Sequence, residues 1–411
     1  MERLDWLIRG ALDPRSGERV DIGLQGGRIA LIRPIAETMP LPSSIRTFDG
    51  DGYAVLPGLA ETHIHLDKAF LSSRLPGVAA GLQQAIEMTA ALKSSYTADD
   101  IKARSREVLN RASAFGVTLL RAQVEIDPIL GLMSFESALE LKREYVSAMD
   151  VQLVAFPQEG IFWQPGTAEL LERAVRMGAD AVGGIPYNDR DSSEHLDYLF
   201  RLAEVSGLPV DLHLDFSDDP RQLAIQDVIA LTRKYGMQGR VAVGHLTSLG
   251  SVELDAARRI AAGIAEAGIH VFTLPATDLY LNGRQDTCRV RRGLTPVRLL
   301  LEEGASVCFG SNNIRNAFTP FGTGDPLDIG LLLAQTAYMG TSEDVMTVLG
   351  MCTTQATLAI RGKKSDILEG ATADLALVRA DSAAGILYDR PRDRVVWKDG
   401  QLVGERANAS A

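Results

Sequence analysis

Cysteine is scarce in this chain: Cys288, Cys308 and Cys352 are the only three in 411 residues. They are odd in number and form no C-x-x-C pair. That argues against a disulfide framework and a thiolate metal site, and it fits a reducing compartment. A basic excess is also missing. The formal net charge is −11, so no nucleic-acid partner is expected. No apolar run reaches the ~18 residues of a membrane span. The opening MERLDWLIRG puts Glu2 and Asp5 where a secretory signal needs basic and then apolar residues. A cytoplasmic protein without a membrane partner is expected. Hydrophobic residues make up 46% and charged residues 23%, the balance of a globular chain able to bury a large core.

The two ends read as β-structure. Val20–Leu24 and Arg28–Ile32 alternate apolar and polar residues around Gly26-Gly27, a hairpin signal. Asp374–Val378 and Arg394–Lys398 are short strands near the other end, with Asp399-Gly400 as a turn before Gln401–Val403. Neither end carries enough apolar surface for a core of its own. One composite β-sandwich domain from 1–57 plus 363–411 is therefore expected, with a (β/α)8 barrel over 58–362.

Within that barrel, eight short runs rich in β-branched residues each precede a helical stretch. They are Tyr53–Leu59, Val117–Val124, Val151–Phe156, Ala181–Ile185, Pro209–Leu214, Arg240–Gly244, His270–Leu274 and Ser306–Gly310. Helices are expected over Ala98–Phe115, Ser134–Met149, Thr167–Met177, Ser193–Val205, Asp219–Tyr235, Ser251–Glu266 and Thr295–Glu303. Eight strand–helix units over ~300 residues predict a closed α/β TIM barrel, whose chemistry gathers at the C-terminal ends of the strands.

Polar residues cluster at those ends. Thr62-His63-Ile64-His65-Leu66-Asp67-Lys68 follows the first strand, Glu125 ends the second and Gln158-Glu159 follows the third. His213-Leu214-Asp215, His245 and Ser311-Asn312-Asn313 mark the fifth, sixth and eighth. Four of the six histidines lie at these ends. His63 and His65, two apart on a strand, face the same side. Imidazole suits zinc, iron and other divalent first-row ions, and three histidines with an open position form a catalytic site pattern. His195, among charged helical residues, reads as a surface or loop side chain. His270 begins the seventh strand, away from the mouth, and reads as structural. Asp67 and Lys68 read equally as partners orienting a histidine or as an ion pair.

The segment LPGLAETHIHLDKAF resembles the metal-binding first strand of the amidohydrolase superfamily. The likeness is to its cytosine deaminase and N-isopropylammelide isopropylamidohydrolase branch. VQLVAFPQEGIF and LNGRQDTCRVRRGLTPV resemble the cytosine deaminases, and SNNIRNAFTPFGTGD the triazine enzyme, in collinear order over nearly the whole chain. The resemblance implies metal ligation by His63, His65 and His213. It implies that His245 holds the metal-bound water and substrate, that Gln158 bonds an amide edge of the ring, and that Phe318 lines the pocket.

Two positions depart from the pattern. The ligating, proton-accepting aspartate after strand 8 is Asn312, a weak ligand at best, and the proton-shuttling glutamate after strand 5 is Phe216. Asp215 is then the nearest replacement proton carrier, or a carboxylate that only orients a loop amide. The expected function is a metal-dependent hydrolase of non-peptide C–N bonds. It would act on a small polar ring such as a pyrimidine or s-triazine, with one divalent ion (zinc or iron) at low occupancy. The alternatives are a non-catalytic or weakly active binder and a metal-independent enzyme using Asp215 and His245. A small-molecule substrate is the expected partner, in a homo-oligomer.

Overall fold

A computed structural model describes residues 3–37 and 40–403. The N-terminal strands are β1 (Leu4–Leu12), β2 (Arg19–Gln25), β3 (Arg28–Pro34), β4 (Ser44–Asp49) and β5 (Ala54–Pro57). The following eight are β6 (Leu59–Ile64), β7 (Val117–Glu125), β8 (Asp150–Phe156), β9 (Ala181–Gly184), β10 (Val210–Leu214), β11 (Val241–His245), β12 (His270–Thr273) and β13 (Ser306–Phe309). The last three are β14 (Leu375–Val378), β15 (Arg394–Lys398) and β16 (Gln401–Leu402).

Strands from both termini share one sheet, in the order β16-β15-β14-β5-β1-β2-β3, with β4 beside β1. The sheet folds back on itself. Ile29 N–H of β3 donates to the Ala371 carbonyl at 2.9 Å, just ahead of β14. The enclosed core is apolar and aromatic, with the Trp6 and Trp397 rings edge to face at 5.7 Å. The composite sandwich thus buries faces that neither end could bury alone.

The run Tyr53–Leu59 is split between the two sheets. Ala54–Pro57 pairs with β14, and the first barrel strand starts at Leu59, so His63 lies within the strand rather than beyond it. The backbone N–H of Gly58 donates to the Asp374 carbonyl, and that of Leu59 to Gly116 in front of β7. The chain changes sheets between those bonds. A continuous apolar run carries no mark of such a switch.

β6 to β13 form the barrel, each pairing in parallel with the next. Their residues are buried almost without exception, as expected for a parallel sheet covered by helices. The ring closes at its mouth through a parallel bridge between Ile64 and Asn312. There Asn312 N–H donates to the His63 carbonyl and His65 N–H donates to the Asn312 carbonyl, both at 2.8 Å. The outer helices include Ala98–Ala114, Met133–Glu144, Thr167–Gly178, Ser192–Ser206, Ile225–Lys234, Leu254–Glu266 and Val297–Glu302. Three further helices, Pro326–Thr336, Ser342–Met351 and Thr354–Arg361, follow the eighth strand. Two helices unforeseen in the sequence border the mouth, Leu82–Leu92 after β6 and Pro275–Leu281 after β12.

Candidate active site and metal centre

Alternation along the strands builds the barrel interior. On β7, Arg121, Gln123 and Glu125 share one face, and on β10 Asp211 and His213 do the same. Arg121 Nη1 donates to Asp211 Oδ2 at 3.0 Å and Gln123 Nε2 donates to Asp211 Oδ1 at 3.1 Å. Above this buried polar layer, three imidazoles converge. His63 Nε2 is 3.1 Å from His213 Nε2, and His65 Nε2 is 3.0 Å from the same atom. All three rings are buried, and their ligand atoms lie within 4.8 Å of one another. Two nitrogens bonded tetrahedrally to one ion at ~2.05 Å stand ~3.3 Å apart, close to the observed spacing.

The electrostatics favour the neutral, ligand-competent rings. Burial lowers the pKa of His63, with Asp211 opposing. His65 and His213 are pushed well down, first by burial, then for His65 by Lys68 and for His213 by the crowding of the His63 and His65 rings. The Nδ1 atoms of His65 and His213 and the Oδ1 of Asn312 are buried without a partner among the described residues. Of these, Asn312 Oδ1 is an orphaned acceptor, which fits a site that holds a cation. Phe156 stacks on His213 at 4.2 Å and walls the cluster.

Close backbone approach holds the strands around it. Glu61, two residues before His63, accepts the Ser311 hydroxyl at 2.6 Å and the Ser311 N–H at 3.0 Å. Burial raises its pKa to about 7, with Ser311 opposing. A Cβ on Gly310 would lie 2.8 Å from both Glu61 Oε1 and the His63 carbonyl oxygen, so this crossing requires glycine. Asp215, His245 and Asn312 have positive φ of 50°, 71° and 56°. Such conformations gather where a site over-determines its backbone.

His245 stands beside the cluster, its ring 5.4 Å from that of His213. Its Nδ1 is 2.6 Å from Oδ1 of Asp278, on the helix after β12. Asp278 was missed in the sequence because that helix was. Asp215 points elsewhere. Its oxygens accept the backbone N–H groups of Ala224 and Ile225 at 2.9 and 3.0 Å, and burial raises its pKa to about 7 against those bonds. Phe216 stacks on His245 within an apolar cluster that also contains Phe318, Ile86 and Leu281.

A buried charge network lines the other side. Lys68 Nζ donates to Gln158 Oε1 at 2.6 Å and to Glu125 Oε1 at 2.9 Å, and lies 4.6 Å from the Phe318 ring centroid. Lys93, at the end of the Leu82–Leu92 helix, reaches Glu125, Asp127 and Glu159 at 3.0, 2.8 and 2.6 Å. Burial pushes Glu125 up, but Lys68 and Lys93 outweigh it and hold the carboxyl at about 2. Asp67 does not pair with Lys68. It accepts the Glu125 N–H at 2.8 Å, and burial raises its pKa to about 6.

His195 is buried rather than superficial. Its Nδ1 is 2.7 Å from Asp189 Oδ2, and its Nε2 accepts Ile185 N–H at 3.1 Å. It shares the inward helix face with Leu196, Leu199 and Phe200, which the flanking charges masked in the sequence. His270, paired with Ser306 Oγ at 2.8 Å, lies at the start of β12, where the sequence put it.

Comparison with known proteins points the same way. The Amidohydrolase family profile matches residues 78–403. The N-isopropylammelide isopropyl amidohydrolase of Pseudomonas sp. is 26% identical, covering 97% of each chain. The pterin deaminase of Rhizobium rhizogenes is 27% identical over 91% of this chain and 86% of its own. The crystal structure of 5-methylcytosine deaminase from Klebsiella pneumoniae, liganded with phosphonocytosine, superposes with a TM-score of 0.91, at 28% identity and 97% coverage of both chains.

Proposed function

The chain belongs to the amidohydrolase family, and from that premise we propose a metal-dependent hydrolase of non-peptide C–N bonds acting on an amino-substituted, oxygenated heterocycle. The approach of His63 Nε2 and His65 Nε2 to 3.1 and 3.0 Å from His213 Nε2 carries the reading. His63, His65 and His213 would hold one divalent ion, zinc or iron, with Asn312 Oδ1 as a weak fourth donor. When bound, such an ion supplies Lewis-acid polarisation and a lower pKa for water at the site.

The substrate edge follows from Lys68 and Gln158. An ammonium only donates, so the Gln158 atom 2.6 Å away is the carbonyl oxygen. The amide then offers its N–H groups to a ligand, and Lys68 adds another donor. Both favour a ring that presents acceptors, such as oxo groups, on that side. Ammelide derivatives, cytosines and pterins combine ring oxo groups with an amino or alkylamino group. Phe318 and Phe216 give this cup its apolar walls. Outside Phe216 lies a cavity of about 470 Å³ lined by Ile86, Tyr187, Asn188 and Leu281.

The proton work falls to His245. Asp215 is engaged by two backbone amides and serves to anchor the 215–225 loop. That placement disfavours a metal-independent enzyme built on Asp215 and His245. We propose 1–57 plus 363–411 as the composite domain and 58–362 as the barrel; the shared sheet of β1–β5 with β14–β16 supports this reading.

The test is a screen of zinc- and iron-loaded protein against N-isopropylammelide, cytosine, 5-methylcytosine and pterin. Products are identified by mass. Replacement of the amino or alkylamino group by oxygen supports the reading. An inert panel with both metals, including one in which rings bind without turnover, counts against it.

A further inference from the structure

We propose that Asp278 is a positioning residue that fixes the tautomer of His245, leaving Nε2 as a proton acceptor for the reaction. The inference rests on the C–N hydrolase reading for its chemistry but on geometry for its structure.

Asp278 Oδ1 lies 2.6 Å from His245 Nδ1, and both side chains are essentially buried, at 0% and 2% exposure. An ionised carboxylate only accepts, so the shared proton belongs to Nδ1 and the lone pair of the neutral ring to Nε2. His245 Nε2 has no hydrogen-bond partner among the described residues. The Asp278 carboxylate has no second side-chain partner among the described residues. Its Oδ2 is buried and unpartnered, and no lysine or arginine among the described residues pairs with it. A buried carboxylate with a single partner is costly to keep. Burial raises its pKa, with His245 opposing.

The ring is held for this role from several sides. Phe216 lies parallel to one face. The His245 backbone sits at φ 71°, and its carbonyl accepts the Thr295 hydroxyl. Asp278 itself is set by the short helix that begins at Pro275, where its N–H donates to the Leu274 carbonyl at 3.0 Å. The resemblance puts carboxylates at positions 312 and 216, where this chain has Asn312 and Phe216. Asp278 is a carboxylate that does reach His245.

In the hydrolysis, the water oxygen bonds to the ring carbon while its proton passes to His245 Nε2. The exocyclic bond between that ring carbon and the amino or alkylamino nitrogen then breaks, and that proton moves from Nε2 to the departing nitrogen. Asp278 stays ionised and holds the Nδ1 proton throughout.

The test uses metal-free protein with 15N-labelled histidine, the His245 signals being assigned by their loss in His245→Gln. The expected result is a proton on Nδ1 and none on Nε2. In Asp278→Asn, whose amide can donate to Nδ1, the tautomer should reverse. The variant's kcat should fall ~10²-fold or more, with KM nearly unchanged, on any ring of the panel that the natural protein turns over. A proton on Nε2 in the natural protein overturns the inference, as does a natural kcat in Asp278→Asn. If no ring is turned over, the hydrolase reading fails, while the tautomer is still decided by the spectra.

Discussion

The Phe216 ring lies flat on the His245 imidazole, with 3.9 Å between centroids and 6° between planes. A position that the resemblance gives to a proton-carrying glutamate is thus an apolar clamp. Phe216 is 4% exposed, and truncating a buried phenylalanine costs ~3–5 kcal/mol. Phe216→Ala should lose stability of that order in urea unfolding. It should also lower kcat by freeing the ring. Phe216→Glu should not raise activity, because the new carboxylate enters an apolar cluster where burial disfavours its charged form.

Asn312 makes the centre poor in negative charge. Its backbone is pinned between His63 and His65 by two 2.8 Å bonds, so Asn312→Asp requires no new chain path. We expect the natural protein to lose metal during purification and Asn312→Asp to retain it more tightly. Without metal, the variant should melt below the natural protein, since it buries an unpaired carboxylate. With saturating zinc, its melting temperature should rise further than the natural protein's does. Elemental analysis and melting curves with and without zinc check both statements. Equal, chelator-resistant occupancy in the two proteins would contradict them.

Glu125 joins Lys68 to Lys93, and so ties the cup to the Leu82–Leu92 helix. Removing one partner of a buried ion pair typically costs ~3–5 kcal/mol, and Glu125→Gln should fall in that range at pH 7. The folded-state pKa is depressed from 4.5 to about 2. The carboxylate therefore adds stability above pH 4.5 that is lost as pH falls towards 2. The gap between natural protein and Glu125→Gln should be widest at pH 5–7 and close on acidification. A gap that widens towards pH 3 would refute the assignment.

In the proposed reading, Gln158 binds the ring edge in ground and transition states alike. Gln158→Ala should raise KM while kcat holds. The truncation also removes an acceptor from Lys68. Gln158→Glu, which keeps an acceptor there, should therefore be folded, yet still bind an oxo edge poorly. A fall in kcat at constant KM would assign Gln158 to the chemistry.

The barrel was legible because its strands are short, β-branched and evenly spaced, and because His63, His65, His213 and His245 stand at strand ends. The sheet switch at 57–59 was not, since apolar residues continue across it. Leu82–Leu92 and Pro275–Leu281 are short helices at the mouth, and with them went Lys93 and Asp278. Glu125 and Glu159 were visible as strand-end carboxylates, but their partner Lys93 was not. The roles of Asp215 and Asp278 depend on which way each side chain turns. Spacing along the chain does not encode that.

The most direct test of the account is amine release by chelator-treated protein as metal is added back. The substrate is whichever panel ring the loaded protein hydrolyses. Activity should be lost on chelation, return in proportion to added zinc or iron, and saturate at about one ion per chain, as a single three-histidine site requires. His213→Ala should show no recovery at any metal concentration. Undiminished turnover after complete metal removal, or full metal-dependent recovery in His213→Ala, would contradict the assignment of His63, His65 and His213 as the metal centre.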